Sequence, residues 1–198
     1  MARDRDVAAF DRRARTYETG LLGRLHHDIA DRTVATALAA MPAPGRVLDV
    51  GCGTGLALRL LAARLPDART LVGVDAAPAM VEVARERTAG DARVRIAHGT
   101  AEDLPVEPGA FDLVVSVTSF DHWTDQPAGL RACRRALAPG GVFVLTDLFS
   151  PLLAPTMLAG RRGRARTIPA GTRLLRRAGF SRLSWHRSVL LKTVVARV

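Results

Sequence analysis

The chain has 198 residues, 48% of them hydrophobic, and a formal net charge of +10 at pH 7. That length suits one domain with a sizeable core, and no stretch approaches the roughly 20 apolar residues of a membrane-spanning helix. The charged start, Met1 to Asp6, has no apolar signal stretch, and Cys52 and Cys133 have no partners at metal-ligand spacing, so a cytoplasmic protein is expected, with neither a disulfide framework nor a metal site.

Apolar residues at helical spacing (Leu21, Leu22, Leu25, Ile29, Val34, Leu38) predict a helix ending before Met41-Pro42, which makes residues 1–43 a helical cap. Residues 44–149 then alternate apolar runs with helical patterns. Strands are predicted at 46–50, 71–75, 93–97, 111–117 and 142–147. Helices are predicted from Leu56 to Pro66, from Pro78 to Thr88 and over 127–138, with Pro139-Gly140-Gly141 as a turn. A short insert at 150–170 reads as a lid, and 171–198 as a helix followed by two β-rich runs, 183–191 and 193–198, too close together for a crossover helix. Strands alternating with helices make an α/β doubly wound sheet, here with an antiparallel addition at its end, all within one domain.

The basic residues are all arginine except Lys192, and Arg161, Arg162, Arg164, Arg166, Arg173, Arg176, Arg177, Arg182 and Arg187 gather near the end of the chain. They form either a phosphate-binding patch for nucleic acid or a solvated face.

The chemistry is concentrated in Asp49-Val50-Gly51-Cys52-Gly53-Thr54-Gly55. A buried strand that runs into alternate glycines can turn sharply and let a ligand lie on the backbone, because no Cβ intervenes. Twenty residues beyond Gly55, the run Leu71 to Asp75 ends in a carboxylate able to accept from both hydroxyls of a ribose. Together these predict a nucleoside-cofactor site. Dinucleotide binders use G-x-G-x-x-G to seat a pyrophosphate on a helix N-terminus. Here the spacing is G-x-G-x-G, and Leu56 stands where the third glycine would be.

The sequence DVGCGTG resembles the first motif of class I S-adenosylmethionine-dependent methyltransferases. Phe10 to Glu18 resembles the F-D-x-x-A-x-x-Y-[DE] entry of the small single-domain type similar to ubiquinone and menaquinone biosynthesis methyltransferases, the methyltransferase type 11 group. GTAEDLP, FDLVVS and LRACRRALAPGGVFVLTD resemble that group's later motifs, in order, so the resemblance spans residues 10–149. It implies a Rossmann-like seven-stranded sheet, mostly parallel with an antiparallel last strand and helices on both faces, and S-adenosyl-L-methionine as cofactor. Gly51, Gly53, Thr54 and Gly55 would wrap the methionyl part, and Asp75 would hold the ribose. Met80 would cover adenine or pack in the core. The Thr100 hydroxyl and the Ala101 N–H would meet the adenine edge, where the group often has Asp before Ala, and Val117 would contribute backbone. Asp49 is read as orienting the glycine loop or else binding the cofactor itself, and Tyr17 as closing over the methionine carboxylate or packing beside it.

A sulfonium methyl is already activated, so the protein must align the acceptor, exclude water and make the acceptor nucleophilic. His122, in Ser119-Phe120-Asp121-His122-Trp123 after the fourth strand, is the candidate base, or else shapes the pocket. Asp121 would orient it or bind a cationic acceptor. His26, His27, His98 and His186 lack a comparable placement. Methyltransferases acting on amino groups of nucleic-acid bases commonly carry [ND]-P-P-[YF] at this point, and its absence favours a small-molecule acceptor with an oxygen, nitrogen or carbon nucleophile. The basic insert would suit a compact anionic one. The alternatives are an RNA methyltransferase using the arginine-rich region and a non-catalytic scaffold, and the sequence is silent on oligomeric state.

Overall fold

The structure, a computed structural model, describes residues 2–150, 167–187 and 191–198. Helix α1 (Ala2–Arg13) and a 3-10 turn (Ala14–Thr16) lead into α2 (Gly20–Ala40). Five strands alternate with helices after that: β1 (Arg46–Val50), α3 (Leu56–Arg64), β2 (Thr70–Asp75), α4 (Pro78–Thr88), β3 (Val94–His98), β4 (Phe111–Val117), a 3-10 turn (Phe120–His122), α5 (Gln126–Ala136) and β5 (Leu137–Asp147). Helix α6 (Ile168–Arg177) precedes β6 (Arg182–Arg187) and β7 (Lys192–Arg197).

The seven strands form one sheet in the order β3-β2-β1-β4-β5-β7-β6, with β1 to β5 parallel and β7 antiparallel to both of its neighbours. The expected antiparallel addition is therefore a strand slotted between β5 and an edge strand. Successive residues of a strand face opposite sides, and the core divides accordingly. Leu48, Val114, Phe143 and Leu145 join the cluster under α5 and α6, whereas Val47, Leu113, Val115, Val142 and Val144 join the one under α2 and α3. Burial on both faces explains why these strands read as near-continuous apolar runs.

The order reverses between β1 and β4, and in such sheets a crevice opens there beyond the carboxyl ends of the strands. The cap lies over that end. Asp11 Oδ1 accepts from the Ala79 N–H at 2.9 Å, supplying the start of α4 with a side-chain cap that its own Ala77 cannot give.

Most boundaries shift by a residue or two, and the starts of β5 and of the last helix differ more. Pro139-Gly140-Gly141 is not a separate turn: β5 begins at Leu137 and carries these residues as a bulge, with Phe111 opposite Leu137, Leu113 opposite Val142, and Gly140 at φ +76°. Helix α6 starts at Ile168 because Thr167 accepts from the Ala170 N–H at 3.3 Å, a cap followed by Pro169. The lid-like insert, with Arg161, Arg162, Arg164 and Arg166, falls almost wholly outside the described residues, as does the Arg187 side chain. Arg173, Arg176, Arg177 and Arg182 are exposed. No described helix is long and apolar enough to cross a membrane.

Candidate active site

The three loop glycines adopt left-handed backbone, at φ +74°, +52° and +80°, for three different reasons. A Cβ on Gly51 would lie 2.3 Å from Ser119 Cβ, so this residue lets β4's following loop close on the end of β1. A Cβ on Gly53 would meet nothing within 4 Å, because Gly53 faces an open cavity. Gly55 does not line that cavity. A Cβ there would come within 3.3 Å of Thr88 Cγ2 and 3.4 Å of Ala84 Cβ, so the bare Gly55 lets α3 pack closely on α4.

The cavity holds about 1070 Å³ of free space, its open mouth included. Tyr17, Asp49, Gly51, Gly53, Thr54, Asp75, Met80, Thr100, Ala101, Val117 and His122 all line it, which brings together every expected site residue but Gly55. Asp75 Oδ2 accepts from the Gly53 N–H at 2.8 Å and Oδ1 from the Ala77 N–H at 2.9 Å. It thus ties the glycine loop to β2 while each oxygen keeps a free lone pair. Asp49 is 1% exposed, and its Oδ1 is shielded from solvent without a hydrogen-bond partner. Burial, reinforced by the Asp75 charge, pushes its carboxyl up to about 8. Among the described residues Asp49 makes no hydrogen bond to the glycine loop, and it lines the cavity beside that loop. Met80 is both a wall residue and fully buried, packed with Ala14, Ala77 and Val83. Thr100 Oγ1 already accepts from the Asp103 N–H at 3.2 Å.

The cap is latched by Glu18, whose role the sequence does not reveal. Its carboxylate accepts from the Thr54 hydroxyl, from Arg59 at 2.7 and 2.8 Å and from Arg87, and lies 3.3 Å from His27 Nε2. Burial alone would raise the Glu18 carboxyl, but Thr54, Arg59 and Arg87 outweigh it and hold it below the usual range. A depressed pKa means that the latch contributes fully above the unfolded value and is lost as pH falls through the folded one. Glu18→Gln, which leaves the arginines without their buried counter-charge, is expected to lower unfolding stability by about 3 kcal/mol. Denaturant titration at pH 7 checks this, and an unchanged midpoint would refute the latch.

A second cavity adjoins the first, with about 1760 Å³ of free space counted the same way. Phe10, Tyr17, His26, Thr118 and His122 line both and form the shared wall. His122 meets Phe10 edge-on at 4.9 Å, and Tyr17 stacks on His26 at 4.4 Å. The Tyr17 phenol is raised by burial against the pull of Arg13, and Thr118 beside it in the shared wall has a φ of +51°, a strained value for a β-branched residue. His26, passed over in the sequence for want of a motif, is therefore a wall residue. Burial lowers its pKa and keeps the imidazole neutral.

A sequence profile for a methyltransferase domain matches residues 47–141. The malonyl-[acyl-carrier protein] O-methyltransferase of Geobacter sulfurreducens is 35% identical over 166 residues, covering 83% of this chain and 60% of that protein. The demethylmenaquinone methyltransferase of Clavibacter sepedonicus is 34% identical, covering 73% and 58%. The chain belongs to the class I S-adenosylmethionine-dependent methyltransferases. A crystal structure of such a methyltransferase from Thermotoga maritima shares the fold with a TM-score of 0.72 at 21% identity, covering 95% of this chain and 97% of that one. The chain spans about 60% of the length of the curated relatives.

The methyltransferase family's cofactor fits the first cavity on two observations. Gly53 presents bare backbone to open space, and Asp49 offers an orphaned buried carboxylate oxygen that suits the ammonium of a methionyl group. A side chain at position 53 would occupy the space left for it and strain the loop at φ +52°, so Gly53→Val is expected to abolish cofactor binding while the methyltransferase fold persists, as S-adenosylhomocysteine titration together with circular dichroism would show.

Proposed function

We propose that this methyltransferase transfers the methyl group of S-adenosylmethionine to a small-molecule acceptor by direct displacement at the sulfonium. The observation that carries the reading is the junction of two cavities at His122: one has the glycine loop and Asp75, and the other opens beside it past a wall of aromatic rings. The cofactor supplies a methyl carbon already activated by positive sulfur. In this reading Gly51, Gly53 and Thr54 cradle the methionyl part, Asp49 faces its ammonium, Asp75 holds the ribose, and Met80, Thr100, Ala101 and Val117 enclose the adenine. In the second cavity, past the aromatic wall, an acceptor is aligned with that methyl carbon. The proton that the acceptor sheds goes to His122. Relatives named for malonyl-carrier protein and quinone-precursor methylation support acceptors other than nucleic acid.

Calorimetric titration with S-adenosylhomocysteine and with NADH is the test. Micromolar binding of the former alone is expected, and binding of neither would overturn the reading. His122→Ala is expected to leave that affinity within about twofold while lowering kcat by about 10²- to 10⁴-fold, the usual span of general-base contributions. Unchanged turnover would remove His122 from the chemistry.

A further inference from the structure

Resting on the methyl-transfer reading, we propose that the second cavity takes acceptors bearing a protonated amine on a short apolar body, with the ammonium held by Asp121. The protein as a whole is strongly basic, at +10, yet the inner end of this cavity is acidic. Its cationic lining residues, Arg13 and Arg32, are exposed at the mouth. Arg32 is paired with Asp28 at 3.0 Å, and Arg13 lies 5.9 Å over the Tyr17 ring. Deeper in are Asp147, 4% exposed, and Asp121 beside it.

The two carboxylates are not equivalent. Asp147 is committed to the backbone: Oδ2 accepts from the Phe120 N–H at 2.8 Å and the Asp121 N–H at 3.4 Å, and Oδ1 from the Leu148 N–H at 2.7 Å. Those bonds pin the Phe120–His122 turn to the end of β5 and so fix where Asp121 and His122 stand. Asp121 Oδ1, by contrast, is shielded from solvent and accepts no hydrogen bond. A buried carboxylate oxygen without a donor is costly, and a cationic donor on a ligand removes that cost. A neutral phenol would answer it only in part, and an anionic acceptor would be repelled by both acids. Leu22, Leu25, Ile29 and Leu148 supply apolar wall for an aliphatic or aromatic body, beside the hydroxyls of Thr33, Thr146 and Thr193. His122 follows Asp121 directly. It can take a proton from the bound ammonium, leaving a neutral amine whose lone pair forms the bond to the methyl carbon while the carbon–sulfur pair goes to sulfur.

The test uses three ring-matched probes, tyramine (cation), 4-ethylphenol (neutral) and 4-hydroxyphenylacetate (anion), titrated by calorimetry into the protein saturated with S-adenosylhomocysteine. Tyramine is expected to bind at least about tenfold more tightly than 4-ethylphenol, as a charge-assisted bond implies. Asp121→Asn should erase the difference with S-adenosylhomocysteine affinity within about twofold. If the variant loses S-adenosylhomocysteine binding, the probe ranking on the unaltered protein decides. Preference for the neutral or anionic ring, or no binding of tyramine, overturns the amine proposal and leaves the methyl-transfer reading standing. So does an Asp121→Asn variant that weakens S-adenosylmethionine relative to S-adenosylhomocysteine, since Asp121 would then serve the sulfonium. Failure of S-adenosylhomocysteine to bind the unaltered protein removes both.

Discussion

Asp75→Asn is expected to weaken S-adenosylhomocysteine binding by about 10²- to 10⁴-fold. The carboxylate does two jobs that an amide cannot do together. Each oxygen accepts one backbone N–H, from Gly53 at 2.8 Å and Ala77 at 2.9 Å, and each keeps a lone pair for a ribose hydroxyl. An amide turned either way sets an NH₂ against one of those N–H groups, so the glycine loop loses its tie to β2 or α4 loses a bond at its start. The ligand simultaneously loses two charge-assisted bonds, about 1.5 to 3 kcal/mol each, and their sum gives the stated range. Burial raises the Asp75 carboxyl even against the backbone donors at Ala77 and Gly53, so removing its charge relieves desolvation in the empty protein and the domain is expected to stay folded. Calorimetry with a thermal melt checks both halves. Affinity unchanged within about threefold would end the ribose assignment.

Asp75 was legible because its signal is local: an apolar run, a strand end and a fixed distance from a glycine loop. The same holds for the parallel core, where burial on both faces leaves near-continuous apolar strings such as Phe111 to Val117, broken only by Asp112 and Ser116. Glu18 was not legible in its role, because Thr54, Arg59 and Arg87 lie 36, 41 and 69 residues away and only the folded cap brings them to one carboxylate. His26 lies on a helix whose pattern says which face is apolar but not that Tyr17 will fold back onto the ring. The glycines mark the limit most sharply. Gly51, Gly53 and Gly55 are equivalent as a motif, yet Ser119, an open cavity and Ala84 are what each one answers to. Spacing identifies a loop that must approach something closely. It does not say whether that something is ligand or protein.

Cofactor affinity is expected to rise with pH up to about 8, and Asp49 is the reason. Empty, the buried carboxyl sits at about 8 and is largely protonated at pH 6 to 7. A methionyl ammonium beside its orphaned oxygen favours the ionised form, so binding must expel the proton. Below the empty-site pKa each pH unit then changes affinity by about tenfold, and above it the dependence flattens. The sign for stability is opposite. Because the folded pKa lies above the unfolded one, the folded state holds a proton that the unfolded chain sheds, so this group's contribution is present at acid pH and is lost as pH rises through about 8. Asp49→Asn is therefore expected to raise Tm of the empty protein at pH 8, flatten the pH dependence and weaken binding most where Asp49 would be ionised. S-adenosylhomocysteine titrations at pH 6, 7 and 8, in buffers of different ionisation enthalpy, read affinity and proton release together. Release approaching one proton at pH 6, absent in Asp49→Asn, is the expected result. Equal release in the two proteins would assign the proton to another group and separate Asp49 from the ligand.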